Sequence, residues 1–204
     1  MPNAINIDWS YSGKPDGLAG TSSTLSERIL AYGFAAVATV SVVGFLRLVE
    51  EHPATFGWRL WLLIFFVFDV VGGVVANMLN SCKRMYHAPV QANETGFIRL
   101  VKNPLAFTAL HIHPIIFAWA FFGDPWLGAA WYVALVASVA ITLATPLYLR
   151  RPIATGFVLA AIFVNLYGPS LVPGLDWFIP CLFLKIVLAH AVREEPYRPV
   201  ERRS

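Results

Sequence analysis

Six long apolar stretches constrain this chain more than any other feature of its sequence. They cover Arg28–Val49, Gly57–Asn80, Pro104–Phe122, Trp126–Tyr148, Pro152–Val172 and Asp176–Arg193. Each stretch is long enough to cross about 30 Å of hydrocarbon as a helix. The sequence therefore predicts an all-α, polytopic integral membrane protein built as a bundle of six transmembrane helices.

The composition agrees with this class of protein. Of the 204 residues, only 13% are charged, and the mean hydropathy is +0.62. Soluble domains carry about 25% charged residues. This composition excludes a disordered protein, an ordinary soluble enzyme and a nucleic-acid-binding domain, so we expect membrane lipids rather than nucleic acid as partners.

The stretches divide the chain into a tail of residues 1–27, a membrane domain of residues 28–195 and a second tail of residues 196–204. Thr24 and Glu27 form a capping-box pattern that predicts the start of the first helix. The first residues have neither a basic nor an apolar segment, so we expect no signal peptide and a mobile tail. The long loop of residues 81–103 ends in TGFIRLVK, which predicts a short interfacial helix.

Basic residues predict the orientation of the bundle. Twelve of the 15 Lys and Arg residues lie on the side that holds both tails, whereas Arg47 and Arg59 lie on the opposite side. The remaining one, Lys185, is within the last stretch. Because basic loops stay on the inner side, we expect cytoplasmic termini in a plasma membrane or a bacterial inner membrane.

Asp69 and Lys185 are the two charged residues deep within apolar stretches. A charge at the centre of a bilayer costs about 2.5–3.5 kcal/mol, so each should face the bundle interior and have a partner. Both are near the middle of their helices, where they can meet. The pair predicts either a functional site or a structural ion pair between the second and sixth helices.

Small and amide side chains share the face of the second helix that carries Asp69. At 100° per residue, Gly73, Asn77 and Asn80 all fall within about 80° of Asp69. We interpret the two asparagines as candidate ligand-binding residues. The alternative is a tight helix–helix contact, for which small residues and amides are also typical.

Four histidines lie on the predicted cytoplasmic half of the bundle: His87, His111, His113 and His190. On an ideal helix His111 and His113 point about 200° apart and would not bind one ion together. Pro114, however, predicts a kink at this position. For each histidine, the alternative to a ligand is a buried neutral side chain that hydrogen-bonds between helices.

Together these residues predict a polar cavity that opens to the cytosol and is built by the second, third and sixth helices. The first hypothesis is a metal-dependent enzyme for a lipid-like or small-molecule substrate. Zn or Fe would be held by ligands drawn from the four histidines and Asp69, with Asp69, Lys185 and Glu194 as catalytic groups. The sequence has no HExxH motif to support it.

Three alternatives stay open at this point. The first is a proton-coupled transporter or channel in which Asp69, Lys185 and the histidines form a relay. The second is a haem- or quinone-binding protein with axial histidines from facing helices. The third is a retinal-type Schiff base on Lys185. The sequence does not decide whether the chain forms a homo-oligomer.

Overall fold

The computed structural model describes residues 5–12, 15–48, 52–91, 94–168 and 174–199, and it is mostly helical. Five helices are long and apolar enough to cross a membrane, which supports membrane integration. Their ranges are Leu25–Leu48, Gly57–Met78, Pro104–Phe122, Pro125–Ala144 and Leu147–Tyr167.

The prediction of six full spans is not confirmed. The last apolar segment forms the helix Phe178–His190, which is too short to be counted with the other five. A full crossing needs about 20 residues. The end of the fifth predicted stretch, at residues 169–172, lies outside the described residues.

We number the elements in chain order. The helices are α1 (Leu25–Leu48), α2 (Gly57–Met78), α3 (Asn80–His87), α4 (Gly96–Val101), α5 (Pro104–Leu110), α6 (His113–Phe122), α7 (Pro125–Ala144), α8 (Arg150–Tyr167) and α9 (Phe178–His190). Single 3₁₀ turns occur at Pro53–Thr55 and Leu147–Leu149. The strands β1 (Ile5–Ile7) and β2 (Tyr197–Pro199) pair antiparallel and join the two tails, an element that the sequence did not predict.

Three of the predicted spans depart from regular α geometry, at or beside Asp69, Lys185 and His111. A π-helical segment, Val67–Val71, interrupts α2 around Asp69. Another, Leu184–His190, includes Lys185 in α9. The third predicted span is broken into α5 and α6 just before Pro114, because proline cannot donate the backbone hydrogen bond that would continue the helix. Local π geometry is frequent at functional sites in proteins.

Close helix contacts depend on glycines. A Cβ placed on Gly72 of α2 would overlap the Cβ of Ala35 in α1. A Cβ on Gly128 of α7 would lie 2.7 Å from the Cα of Ile115 in α6. Small residues therefore let these backbones approach, as is typical of helices that associate in lipid.

The segments before α1 and after α3 cover one end of the bundle. The predicted capping box is present: the Glu27 amide donates to Thr24 Oγ1 at 3.2 Å, and the Thr24 amide donates to Glu27 Oε2 at 2.8 Å. The helix predicted from TGFIRLVK is found as α4, with Thr95 as its N-cap. The described part of the first tail packs against α3, where the thiol of Cys82 donates to the Leu18 carbonyl.

The contact at Gly72 gives a test of the fold. We expect Gly72→Ala to destabilise the protein by about 1–3 kcal/mol, because overpacking forces α1 and α2 apart. Gly33 of α1 is the matched control, since a Cβ there meets no atom of the described residues within 4 Å. Gly33→Ala should leave the thermal unfolding temperature in detergent unchanged or slightly raised. Equal behaviour of the two variants would contradict the close α1–α2 contact.

Candidate functional site

The site is built around an ion pair between two helices. The Nζ of Lys185 in α9 lies 2.6 Å from Oδ2 of Asp69 in α2. Lys185 is 3% exposed, so its side chain is buried inside the bundle. The structure thus brings together the two charged residues that the sequence places deep in apolar stretches.

The face of α2 that follows Asp69 makes room for Lys185. Gly73 comes one turn after Asp69, and a Cβ there would lie 2.6 Å from Cε of Lys185. One further turn on, Nδ2 of Asn77 donates to the Lys185 carbonyl at 3.3 Å. Residues four apart share a helix face, so this row holds the lysine stem and its backbone in one position.

The break between α5 and α6 brings His111 and His113 to the same carboxylate. At His111 the backbone leaves helical geometry, with φ −84° and ψ 62°. Nε2 of His113 then lies 3.3 Å from Oδ2 of Asp69. The rings of His111 and His113 stack with centroids 4.8 Å apart. The opposed directions expected on an ideal helix are therefore wrong for this segment, because the predicted interruption realigns both side chains.

The hydrogen bond of His111 determines which of its nitrogens is free. Its Nδ1 lies 2.7 Å from the carbonyl oxygen of Phe107. A carbonyl oxygen only accepts, so Nδ1 carries the proton and a neutral ring presents its Nε2 lone pair. Histidines that bind metals usually donate their other N–H to a carbonyl or carboxylate in this way.

Asp69, His111 and His113 form a group that could hold a metal ion. Each offers one ligand atom, and these atoms lie within 4.8 Å of one another. Around tetrahedral Zn²⁺ with Zn–N of about 2.0–2.1 Å, ligand atoms lie about 3.3 Å apart. Side-chain movements of about 1.5 Å would close that difference.

This group lines a cavity of about 260 Å³. Tyr86 and Phe107 form part of its wall, and Gly17 and Leu18 of the first tail contribute to it. Phe97 of α4 and Leu110 of α5 also line it, and they are 67% and 51% exposed. The cavity therefore combines a polar floor with apolar residues on the outer surface of the bundle.

His190 and His87 are not part of the Asp69 group. The ring of His190 is fully buried, and it stacks on Phe107 at 3.8 Å and contacts Tyr86 at 4.2 Å. The ring of Phe107 also contacts that of His111, with centroids 4.4 Å apart. His87 Nε2 lies 2.9 Å from the His190 carbonyl oxygen. Two of the four predicted metal histidines thus pack against an aromatic ring or a backbone carbonyl instead.

Glu194 and Asn80 belong to a different pocket. The carboxylate of Glu194 pairs with Lys83 at 3.2 Å and with Arg151 at 3.0 Å. Asn80 accepts a hydrogen bond from the Tyr197 amide at 3.0 Å. Leu79, with ψ 144°, ends α2 and turns the chain into α3, so Asn80 leaves the face that carries Asp69 and Asn77. Neither predicted residue is brought to the cavity.

Sequence reasoning missed the aromatic wall of the cavity. Tyr86 lies in α3, in a segment that the sequence predicts as a loop, and Phe107 is one of fifteen phenylalanines in the chain. The position of Phe107 four residues before His111 was a usable signal, since side chains at that spacing meet on a helix. Nothing in the sequence pattern indicated that residues 17 and 18 would reach the site.

Burial keeps the side chain of His87 neutral. This residue lies in α3, outside the membrane-spanning helix α2. Desolvation, together with the nearby Lys83 ammonium, lowers the pKa of His87 from 6.5 to about 4. The ring is therefore neutral at pH 7, and its Nε2–H donates to the His190 carbonyl. His87 acts as a tie between α3 and the end of α9.

Comparison of the chain with protein-family models, with curated proteins and with solved structures yields no match.

The ion pair can be tested with a double-mutant cycle. Asp69→Asn should destabilise the protein because it leaves the buried Lys185 ammonium without a counter-charge. Adding Lys185→Met removes that charge, so the double variant should regain stability, with a coupling energy of about 1–3 kcal/mol. Thermal unfolding of chelator-treated protein in detergent measures it. Strictly additive effects would contradict a direct pair.

His87 gives a prediction for pH dependence. Between pH 6.5 and 4 the unfolded chain binds a proton at His87 that the folded protein does not. Stability should therefore fall as the pH is lowered through this window, by at most about 1.4 kcal/mol per pH unit from this group. His87→Gln, whose amide can still donate to the carbonyl, should flatten the dependence. An unchanged slope in urea or thermal unfolding would contradict a neutral, buried His87.

Proposed function

We propose that this protein is an integral membrane enzyme in which Asp69, His111 and His113 hold a divalent transition metal and act on a lipid-like substrate. The observation that carries the proposal is the convergence of three ligand atoms within 4.8 Å, in a cavity. Two histidines and one carboxylate are a donor set used for catalytic Zn²⁺ and for non-haem Fe²⁺.

A bound Zn²⁺ would supply Lewis-acid chemistry and lower the pKa of a bound water to about 7, which suits hydrolysis. The chain's own residues prepare the site for it. Phe107 fixes the tautomer of His111, as its carbonyl accepts from Nδ1. Lys185 orients the carboxylate of Asp69 and places a positive charge where an anionic group of the substrate would bind.

The cavity indicates the class of substrate. Its volume of about 260 Å³ is small for a whole lipid, but exposed Phe97 and Leu110 extend its lining to the surface of the bundle. In a membrane this surface faces acyl chains. A lipid could therefore place its polar region against Asp69 and keep its tails in the bilayer.

We further propose that this end of the bundle faces the cytoplasm. The pairing of β1 with β2 supports a common side for both tails. Lys83, Arg84 and Arg193 belong to the same end, in agreement with the excess of basic residues on the inner side of membranes.

Two alternatives are less well supported by the packing. For a transporter, the relay would have to continue past His113, where Phe66 contacts the ring at 5.6 Å and Phe117 and Phe178 stack at 3.7 Å. For haem, a macrocycle bound by His111 and His190 would have to displace Phe107, whose ring contacts both histidine rings. Both paths are filled by aromatic side chains in the described residues.

Metal analysis tests the proposal. Purified protein, loaded with Zn²⁺ or Fe²⁺ and dialysed, should retain about one ion per chain, as three protein ligands predict. His111→Ala and His113→Ala should each lose most of it, because two ligands hold the ion weakly. His87→Gln is the matched control, as this histidine lies outside the group, and it should retain the metal.

Retention by His111→Ala and His113→Ala, or no retention by the unaltered protein with either ion, would overturn the metal site. The substrate class is tested separately, by following the release of water-soluble products from lipid bilayers that contain the metal-loaded protein. Release should occur with the unaltered protein and fall at least about tenfold in His111→Ala. Equal release from both would contradict a catalytic role for the site.

A further inference from the structure

A second pocket, of about 580 Å³, lies where the two tails meet the ends of the helices. Its volume is within the range of about 300–1,000 Å³ that is typical of small-molecule sites. It shares no lining residue with the Asp69 cavity. Its walls come from the first tail, the end of α2, α3, the segment that leads into α8 and the chain after α9.

One part of this pocket is internally neutralised. The buried Lys83 ammonium donates to the carbonyls of Ala189 and Val192, at 2.6 and 3.0 Å, and contacts Glu194 at 3.2 Å. All three of its protons are thereby engaged. Glu194 has a second cation, Arg151, at 3.0 Å. Lys83 and Glu194 are thus engaged by contacts within the protein. A ligand would be recognised by the other charged side chains that line the pocket.

The remaining charged groups have opposite signs. Arg193 is exposed and its guanidinium lies 4.5 Å over the ring of Trp9, a contact that orients it. Arg151 keeps 68% of its side chain exposed while one nitrogen contacts Glu194. Glu195, also exposed, adds a carboxylate to the same lining. The pocket therefore offers two guanidiniums and a separate carboxylate.

We propose that this pocket binds a zwitterionic phosphate–amine group, as in a phosphoethanolamine headgroup. Arg193 and Arg151 bind the phosphate, since the planar guanidinium matches phosphate oxygens and forms charge-assisted hydrogen bonds. Glu195 binds the ammonium. A simple anion would satisfy the arginines but leave Glu195 repelling it, so the mixed charge of the lining selects a ligand that carries both signs.

The surroundings favour a lipid as the source of this group. Met78 and Leu147 line the pocket and are 39% and 58% exposed, and Tyr148, beside Leu147, is 81% exposed. They lie at the ends of apolar helices, where aromatic side chains mark the interface between membrane and water. A headgroup in the pocket would leave its acyl chains beside these apolar side chains.

The test uses the full chain in detergent and three soluble probes: O-phosphoethanolamine, inorganic phosphate and ethanolamine. Binding is read from the rise in thermal unfolding temperature with probe concentration. O-phosphoethanolamine should bind most tightly. Arg193→Ala should weaken it at least about tenfold, because a charge-assisted hydrogen bond is lost. Arg28→Ala, at the start of α1 and outside the pocket, is the matched control and should bind normally.

Glu195→Gln separates the two halves of the ligand. It should reduce the preference for O-phosphoethanolamine over inorganic phosphate and leave phosphate binding intact or stronger. Unaltered binding by Arg193→Ala, an equal loss in Arg28→Ala, or equal binding of the phosphate and O-phosphoethanolamine probes by the unaltered protein would each overturn the proposal, as would no binding of any probe.

The source of the group is decided in nanodiscs. Protein in discs of mixed phosphatidylethanolamine and phosphatidylcholine is released for native mass spectrometry, and the retained lipid is identified. Retention of phosphatidylethanolamine that Arg193→Ala abolishes supports a lipid source. Binding of soluble O-phosphoethanolamine without retained phosphatidylethanolamine supports the phosphate–amine chemistry with a water-soluble ligand and overturns the lipid source.

Discussion

A charged side chain within the apolar layer of a membrane needs a partner of opposite charge, and Asp69 and Lys185 are partners across two helices, 2.6 Å apart. Each alone would cost about 2.5–3.5 kcal/mol to insert. The pair constrains the bundle strongly, because only a close and fixed approach of α2 and α9 brings the ammonium to the carboxylate. The hydrophobic effect does not supply that constraint between helices in lipid.

Several local features of the chain follow from this approach. Gly73 leaves the space that the stem of Lys185 fills, and Asn77 binds the backbone of the same residue. The helices carrying both charges have π-helical segments at those positions, which turn the side chains relative to a regular helix. The adjacent residue, Gly72, makes room for Ala35 of α1. One short segment of α2 thus determines two helix contacts and one wall of the site.

The sequence predicted the elements whose physical signal is local. Apolar length predicted six spanning helices, of which five are found in the described residues. The Thr24–Glu27 pattern predicted the start of α1, and Pro114 predicted the interruption beside the histidines. The rarity of charge in apolar stretches identified Asp69 and Lys185 from the sequence alone. Each of these inferences depends only on the residues of one segment and on the free energy of placing them in a helix or in the membrane.

What the sequence did not predict depends on how segments meet. Depth alone predicts one site for all four histidines, yet Phe107 occupies the position beside His190. Helical periodicity predicts Asn80 on the face of Asp69, but the regular helix ends at Leu79. The position of Glu194 four residues after His190 predicts that it reaches the site, but Lys83 binds it elsewhere. For Asn80 and Glu194, the prediction extends a regular helix past a point where the backbone turns.

Charge balance links the ion pair of Asp69 and Lys185 to the group that could hold a metal ion. With neutral histidines, Asp69 and Lys185 cancel, so the described cavity carries no net charge before a ligand binds. Binding of a divalent ion would add two positive charges to a buried region, which is costly unless anions accompany it. A hydroxide and an anionic substrate group would restore the balance, and Lys185 already stands beside the carboxylate that would hold the ion. A site built in this way would bind its metal most firmly together with an anionic group, so the ion pair that joins α2 and α9 would also favour the proposed anionic lipid substrate.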